Sequence, residues 1–262
     1  MPVFTDQTGR TIELKETPKK IVSVVPSQTE FLFDLGLEEE VAGITKFCVH
    51  PEKWFHSKPR VGGTKQLKTD IIRQLQPDLV IANKEENVKE QIEELGKEFP
   101  VWISDVTDLD SAFDMMQQIG LMTNKKSSAD QIIAEISQNF KKLTTPGSQL
   151  STCYLIWQNP YMTVGGDTFI NSMLESAGFD NIFKQKERYP ETTIEEIRSL
   201  NPDLLLLSSE PFPFKQKHID ELQSQLPGTK IILVNGDLFS WYGSRLLYAP
   251  EYFSDLRNKL VS

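Results

Sequence analysis

Only three histidines occur in the chain, His50, His56 and His218, and two of them share the stretch HPEKWFH with Glu52. Imidazole and carboxylate are metal-ligand types, but the spacing is not the i, i+4 pair of a helical zinc site, and Pro51 is expected to disrupt a helix there. The pair therefore reads as loop histidines rather than as metal ligands. The other signatures of chemistry are missing. No GxxxxGK[ST] phosphate loop or GxSxG nucleophile elbow occurs, and VGG at 61–63 and VGGDT at 164–168 are turn glycines rather than a dinucleotide fingerprint. Cys48 and Cys153 fall in different halves with no CxxC or ligand-spaced cluster; a disulfide has little support, and two buried thiols fit better. The expectation is a binding protein, not an enzyme, with no resident metal or cofactor.

Aromatic residues suggest what is bound. KFCVHPEKWF carries Phe47, Trp54 and Phe55 after an expected strand, and IWQNPYM carries Trp157 and Tyr161. SSEPFPF carries Phe212 and Phe214, and NGDLFSWYGSR carries Phe239, Trp241, Tyr242 and Arg245. In open α/β sheets ligands sit beyond the carboxyl ends of strands, where these segments fall. Four such clusters point to a cleft for a large, flat, partly apolar ligand.

The elements that must position them alternate. PVFTDQTGRTIEL reads as a hairpin, and Ile21–Val25 as a buried strand broken by Pro-Ser before a helix that stops at Gly36. VAGIT, LVIA and VWIS are further strands, and NVKEQIEELGKE and LDSAFDMMQQIGLMT further helices. Over 124–145 the alternation stops, and Ile132, Ile133, Ile136, Phe140 and Leu143 recur at helical spacing; this segment links two halves. Strands CYLIW and YMTVG, helix TFINSMLESAG, strand LLLLS, helix KQKHIDELQSQL, strand IILVN and helix APEYFSDLRNKLV follow. The fold class is α/β, in two Rossmann-like lobes.

A repeat supports the division. TDIIRQLQPDLVIA (69–82) and IEEIRSLNPDLLLL (194–207) align with Pro77 on Pro202, an offset of 125 residues. Ile72 then meets Ile197, Arg73 meets Arg198, Asp78 meets Asp203, and Asp70 falls opposite Glu195. A formal charge of −9 argues against nucleic acid, which rewards clustered Lys and Arg. No apolar run approaches the roughly 20 residues of a membrane span, so no membrane insertion is expected.

Together RTIEL…KKIVSVVPSQTEFLFDLG, RVGG, the QPDLVIA and NPDLLLL pair, GGDTFINSMLESAGFDNIF and GDLFSWYGSR make the chain resemble the ABC-transporter substrate-binding proteins for cobalamin, haem and ferric siderophores, the helical-backbone metal receptors. The resemblance is nearest to the cobalamin-binding branch. It implies an N-terminal lobe (1–123), one long rigid interlobe helix (124–147) and a C-terminal lobe (148–262), with a ligand cleft between lobes. It implies a monomer that captures a metal chelate, a corrinoid first and a ferric siderophore or haem second, and delivers it to an ABC importer permease. Ligand positions carried over fall at Pro26, Ser27, Phe47 to His50, Asn83, Trp157, Tyr189 and Asp237 to Arg245, with Tyr161 added by the aromatic clusters. Permease docking falls at Asp70 and Glu195. The metal would arrive inside its chelate. Two departures accompany the match: a pocket tryptophan of the cobalamin branch has no counterpart near Thr64, and the family's export signal is not in this chain. Family resemblance implies an extracytoplasmic location; a native start at Met1 would imply a cytoplasmic corrinoid or haem carrier, or an enzyme, on the same fold.

Overall fold

The computed structural model describes residues 2–143 and 149–261. The chain opens with the antiparallel hairpin β1 (Val3–Thr5) and β2 (Thr11–Glu13). There follow β3 (Ile21–Ser23), α1 (Pro26–Asp34), β4 (Val41–Ile44), α2 (Glu52–Ser57), the ribbon β5 (Gly62–Gly63) and β6 (Gln66–Leu67), and α3 (Thr69–Leu75). Next come β7 (Leu79–Asn83), α4 (Lys89–Leu95), β8 (Val101–Ser104), α5 (Leu109–Met122) and α6 (Lys126–Lys141). The second half has β9 (Leu150–Leu155), β10 (Tyr161–Met162), α7 (Phe169–Ser176), β11 (Phe179–Asn181), β12 (Glu191–Thr192) and α8 (Ile194–Leu200). It closes with β13 (Leu204–Ser208), α9 (Gln216–Gln223), β14 (Lys230–Val234), α10 (Asp237–Ser240) and α11 (Ala249–Val261).

Two compact units result. One comprises Met1–Val106, Asp110–Ile136 and Tyr242–Arg245; the other comprises Thr107–Leu109, Ser137–Trp241 and Leu246–Ser262. Each holds a parallel four-stranded sheet, in the orders β4-β3-β7-β8 and β11-β9-β13-β14. Counted among the strands of its own sheet, each order is second, first, third, fourth, so both halves are wound alike. Among the described residues no helix is long and apolar enough to cross a membrane.

The repeated sequence has a physical cause in each unit. Gln76 (φ 48°) and Asn201 (φ 45°), again 125 apart, take the left-handed conformation that ends α3 and α8. Proline follows, so neither helix can continue. The next residue then ties the sheet. Asp78 Oδ2 accepts from the Lys19 and Lys20 amides at 2.9 and 3.0 Å before β3. Asp203 Oδ2 accepts from the Ser151 amide and hydroxyl at 2.8 and 2.7 Å on β9. Ile72 and Ile197 are fully buried in the two cores, as are Val80 and Leu205 on the paired strands. Burying each such side chain contributes about 1.5–3 kcal/mol.

Several elements differ from expectation. α2 begins at Glu52, directly after Pro51, because proline just before a helix forfeits no helical hydrogen bond. β11 was absent from the pattern, since FDN lacks the branched residues that mark strands. YMTVG supplies only β10, which pairs with β12 outside the main sheet. α6 abuts α5 rather than continuing it, one of the two arrangements the sequence allowed: Asn124 (φ 57°) breaks them, and Gly120 lets them cross, because a Cβ there would lie 2.6 Å from Ala129 Cβ. Residues 144–147 of the expected linking segment lie outside the described residues.

Candidate functional site

On the first unit the candidate residues gather at the carboxyl ends of β3, β4 and β7. Pro26 opens α1 and is buried with Ser27. Lying along that helix is the late segment Tyr242–Arg245, which belongs to the same unit. Gly243 (φ +106°) makes this approach, since a Cβ there would stand 3.3 Å from both the Ser27 carbonyl oxygen and Phe31 Cβ. Side chains fasten the segment. Ser244 donates its hydroxyl to Asp34, and Arg245 grips Glu30 through Nε to Oε2 at 2.9 Å and Nη2 to Oε1 at 2.6 Å. Tyr242 donates its phenol to Glu86 at 3.2 Å. Desolvation, reinforced by the Glu86 charge, pushes the Tyr242 pKa well up, so the phenol stays protonated. Desolvation also raises Asp34, against the Ser244 hydrogen bond.

Asn83 ends β7 and is buried, with its amide fully used. Its Nδ2 donates to Ser104 Oγ at 3.0 Å, and its Oδ1 accepts from the Glu85 and Glu86 amides at 2.8 and 3.0 Å. It therefore shapes the turn that presents Glu86 to Tyr242. Asn87 extends this frame, donating to the carbonyls of Val24 and Thr64. Past β4, the buried Cys48 thiol lies 3.1 and 3.2 Å from the Thr29 and Thr45 hydroxyls, and burial raises its pKa. With Cys48 held inward, Phe47 is left 49% exposed, its ring edge against Gly63 and the Lys46 ammonium 4.9 Å above it. His50 is half-buried.

On the second unit the carboxyl ends of β9, β13 and β14 carry the rest. Trp157 is 39% exposed and packs edge-on against Phe212 with centroids 5.7 Å apart. Its bridge to Met162 sets Tyr161 beside it, half-buried, accepting from Gln158 at 3.4 Å. Tyr189 is half-buried after Arg188, whose amide donates to Asp167 at 2.6 Å. Trp241 is buried and donates its indole N–H to Glu210 Oε1 at 2.9 Å, an oxygen that also accepts from Ser240. Asp237, half-buried at the start of α10, lies close enough to act on Glu210. Desolvation first, and the Asp237 charge after it, push the Glu210 pKa up to about 7.

Not every expected residue is presented. Phe239 is wholly buried, 4.8 Å from Phe253 of α11 and 5.3 Å from Tyr154 of β9 between ring centroids, so it packs the core rather than facing a ligand. Trp54 likewise is buried edge-on against Phe33 at 5.3 Å, and Phe214 is buried. Arg245 is committed to Glu30 rather than open to a ligand. Glu30, Glu86 and Glu210 were missed as site residues. For Glu210 a signal existed, a carboxylate placed directly after an apolar strand and before Pro211.

Asp70 and Glu195 are both exposed in the first turns of α3 and α8. Asp70 pairs with Arg73 at 3.2 Å, and Arg73 also holds Glu94 and Glu98. Of the histidines, His56 is exposed, whereas His218 is buried and caps α9 by accepting from the Lys215 amide at 2.8 Å. Both cysteines are free and buried. Among the described residues no group of three or more His, Cys, Asp and Glu could hold a metal ion.

Residues 21–230 match the family model of the periplasmic binding proteins. The chain belongs to this family. It is 25% identical to the uncharacterized ABC transporter substrate-binding lipoprotein YvrC of Bacillus subtilis, over 95% of this chain and 83% of that one. It is also 25% identical to the vitamin B12-binding protein of Vibrio campbellii, over 72% of this chain and 70% of that one. A periplasmic haem-binding protein from Pseudomonas aeruginosa shares the fold at a TM-score of 0.79 and 19% identity, covering 91% of this chain and 92% of that one.

Proposed function

We propose that this protein captures a metal chelate, a corrinoid first, and delivers it to the permease of an ABC importer. The observation that carries the reading is the pair of half-exposed aromatics, Phe47 past β4 and Trp157 past β9, each at the carboxyl end of its unit's sheet. Large aromatic surface held open to solvent costs hydration and suits a flat apolar ligand. On the second unit Tyr161, set beside Trp157, and the half-buried Asp237 and Tyr189 supply polar groups. The hydrogen-bonding framework, buried Asn83 and Asn87 on one unit and half-buried Glu210 on the other, fixes the loops rather than reacting, which fits binding without catalysis.

Family membership, with a lipoprotein relative named for ABC transport, supports a permease partner and a place outside the cytoplasmic membrane. Asp70 and Glu195 are the groups for docking: equivalent, exposed and one per unit. Tryptophan fluorescence tests the ligand reading. Cyanocobalamin absorbs strongly, so titration should quench Trp157 saturably, and quenching no greater than that of free tryptophan would overturn the reading.

A further inference from the structure

One dipeptide on the second unit has chemistry of its own. Asn235-Gly236 is the single Asn-Gly pair in the chain, and it stands at the carboxyl end of β14, directly before Asp237 and α10. An asparagine side-chain amide can be attacked by the main-chain nitrogen of the next residue, and glycine, having no Cβ, hinders that attack least. Packing requires the glycine here. Its φ of −60° suits any residue, but a Cβ would lie 2.4 Å from Ser208 Oγ and 2.7 Å from Glu210 Cγ. The asparagine is open to reaction. It is exposed, and its Oδ1 accepts from the Asp237 amide at 3.2 Å. That donor polarises the carbonyl and favours the negative charge that attack places on its oxygen. The nucleophile, by contrast, is held back. Gly236 donates its N–H to Ser209 Oγ at 2.9 Å, and a hydrogen bond given by the neutral amide opposes loss of its proton.

We propose that Asn235 is a self-modification site of the folded protein and that Ser209 sets its rate. The Gly236 nitrogen gives up its proton and bonds to Asn235 Cγ. The Cγ–Nδ2 bond breaks, and ammonia leaves carrying a proton in exchange. Water then opens the cyclic imide at either carbonyl, giving aspartate or isoaspartate, and nothing is oxidised or reduced. Aspartate adds a carboxylate close to Asp237. Isoaspartate lengthens the main chain by one carbon, immediately before a glycine packed with no room for a methyl. It therefore shifts the loop that carries Asp237 and Trp241.

The test incubates the full-length protein in warm, mildly alkaline buffer and follows it by peptide mass spectrometry, with isoaspartate detected separately. Asn235 should convert ahead of Asn124 and Asn258, two exposed asparagines that each precede a lysine. Ser209→Ala should quicken conversion at Asn235 by roughly 2- to 12-fold, the worth of one hydrogen bond. Ser209→Thr, which keeps the accepting oxygen, should leave the rate as it is. A variant that merely folds less well would speed all three asparagines, so acceleration confined to Asn235 reports the lost hydrogen bond. Conversion of Asn235 no faster than that of Asn124 and Asn258 overturns the proposal. So does a Ser209→Ala protein in which all three speed up alike or none does. Neither result depends on which ligand the protein carries.

Discussion

The indole of Trp241 and the hydroxyl of Ser240 converge on one oxygen of Glu210, the indole at 2.9 Å, so a single carboxyl holds the turn after α10. That carboxyl sits largely out of water beside Asp237, and its pKa of about 7 lies above the ordinary 4.5. The folded protein therefore keeps this proton at a pH where the unfolded chain has released it. Stability from this group is complete below about pH 4.5 and is lost as pH rises through about 7.

Glu210→Gln keeps an acceptor for Trp241 and removes the titration. The variant should lose the fall in stability between about pH 4.5 and 7, and should exceed the parent at pH 8 by on the order of 1–3 kcal/mol. Urea unfolding at several pH values reads this directly. An unchanged pH profile would show that Glu210 does not titrate in this window.

Truncating the open aromatics should weaken binding and spare the fold. Phe47→Ala and Trp157→Ala each remove a half-exposed face, and a lost contact of about 1–3 kcal/mol is roughly 5- to 150-fold in affinity. Phe239→Ala should do the reverse, lowering the melting temperature through a cavity costing about 3–5 kcal/mol, with affinity in the surviving folded protein little changed. Affinity that follows Phe239 and ignores Trp157 would misplace the site.

Docking is tested by Asp70→Lys combined with Glu195→Lys. Both side chains are exposed, and Arg73 retains Glu94 and Glu98, so the melting temperature should hold. Ligand affinity should also hold, while uptake through the permease in reconstituted membranes fails. Docking of the unmodified protein should weaken as salt rises. Uptake that survives the double reversal would reduce both residues to favourable charges at helix N-termini.

The paired aspartates make a separate claim. Asp78→Ala and Asp203→Ala each release two solvent-exposed donors at the start of a neighbouring strand, and each should cost about 0.5–1.5 kcal/mol in chemical denaturation. Their similarity in size is the point. A large loss at one position and none at the other would mean that the repeat is not energetically equivalent in the two units.

The α/β alternation and the repeat were legible because burial on both sides of a parallel strand writes an apolar run, and a helix stop writes Asn or Gln before proline. β11 was not legible, because an edge strand of three residues holds no run to see. Pro51 misled about α2 because proline breaks a helix interior and is tolerated at its start. Composition also placed Phe239 and Trp54 with Phe47 and Trp157, since an aromatic near a strand end looks the same whether it turns inward or outward. The Arg245–Glu30 pair joins residues 215 apart in sequence, which no local pattern reveals.

The most direct measurement is isothermal titration of the purified protein with cyanocobalamin near pH 7. The account predicts saturable binding, one chelate per chain, with a Kd of about 1 µM or tighter. Absence of saturable heat up to about 0.1 mM for cyanocobalamin, haemin and a ferric tris-hydroxamate alike would contradict it.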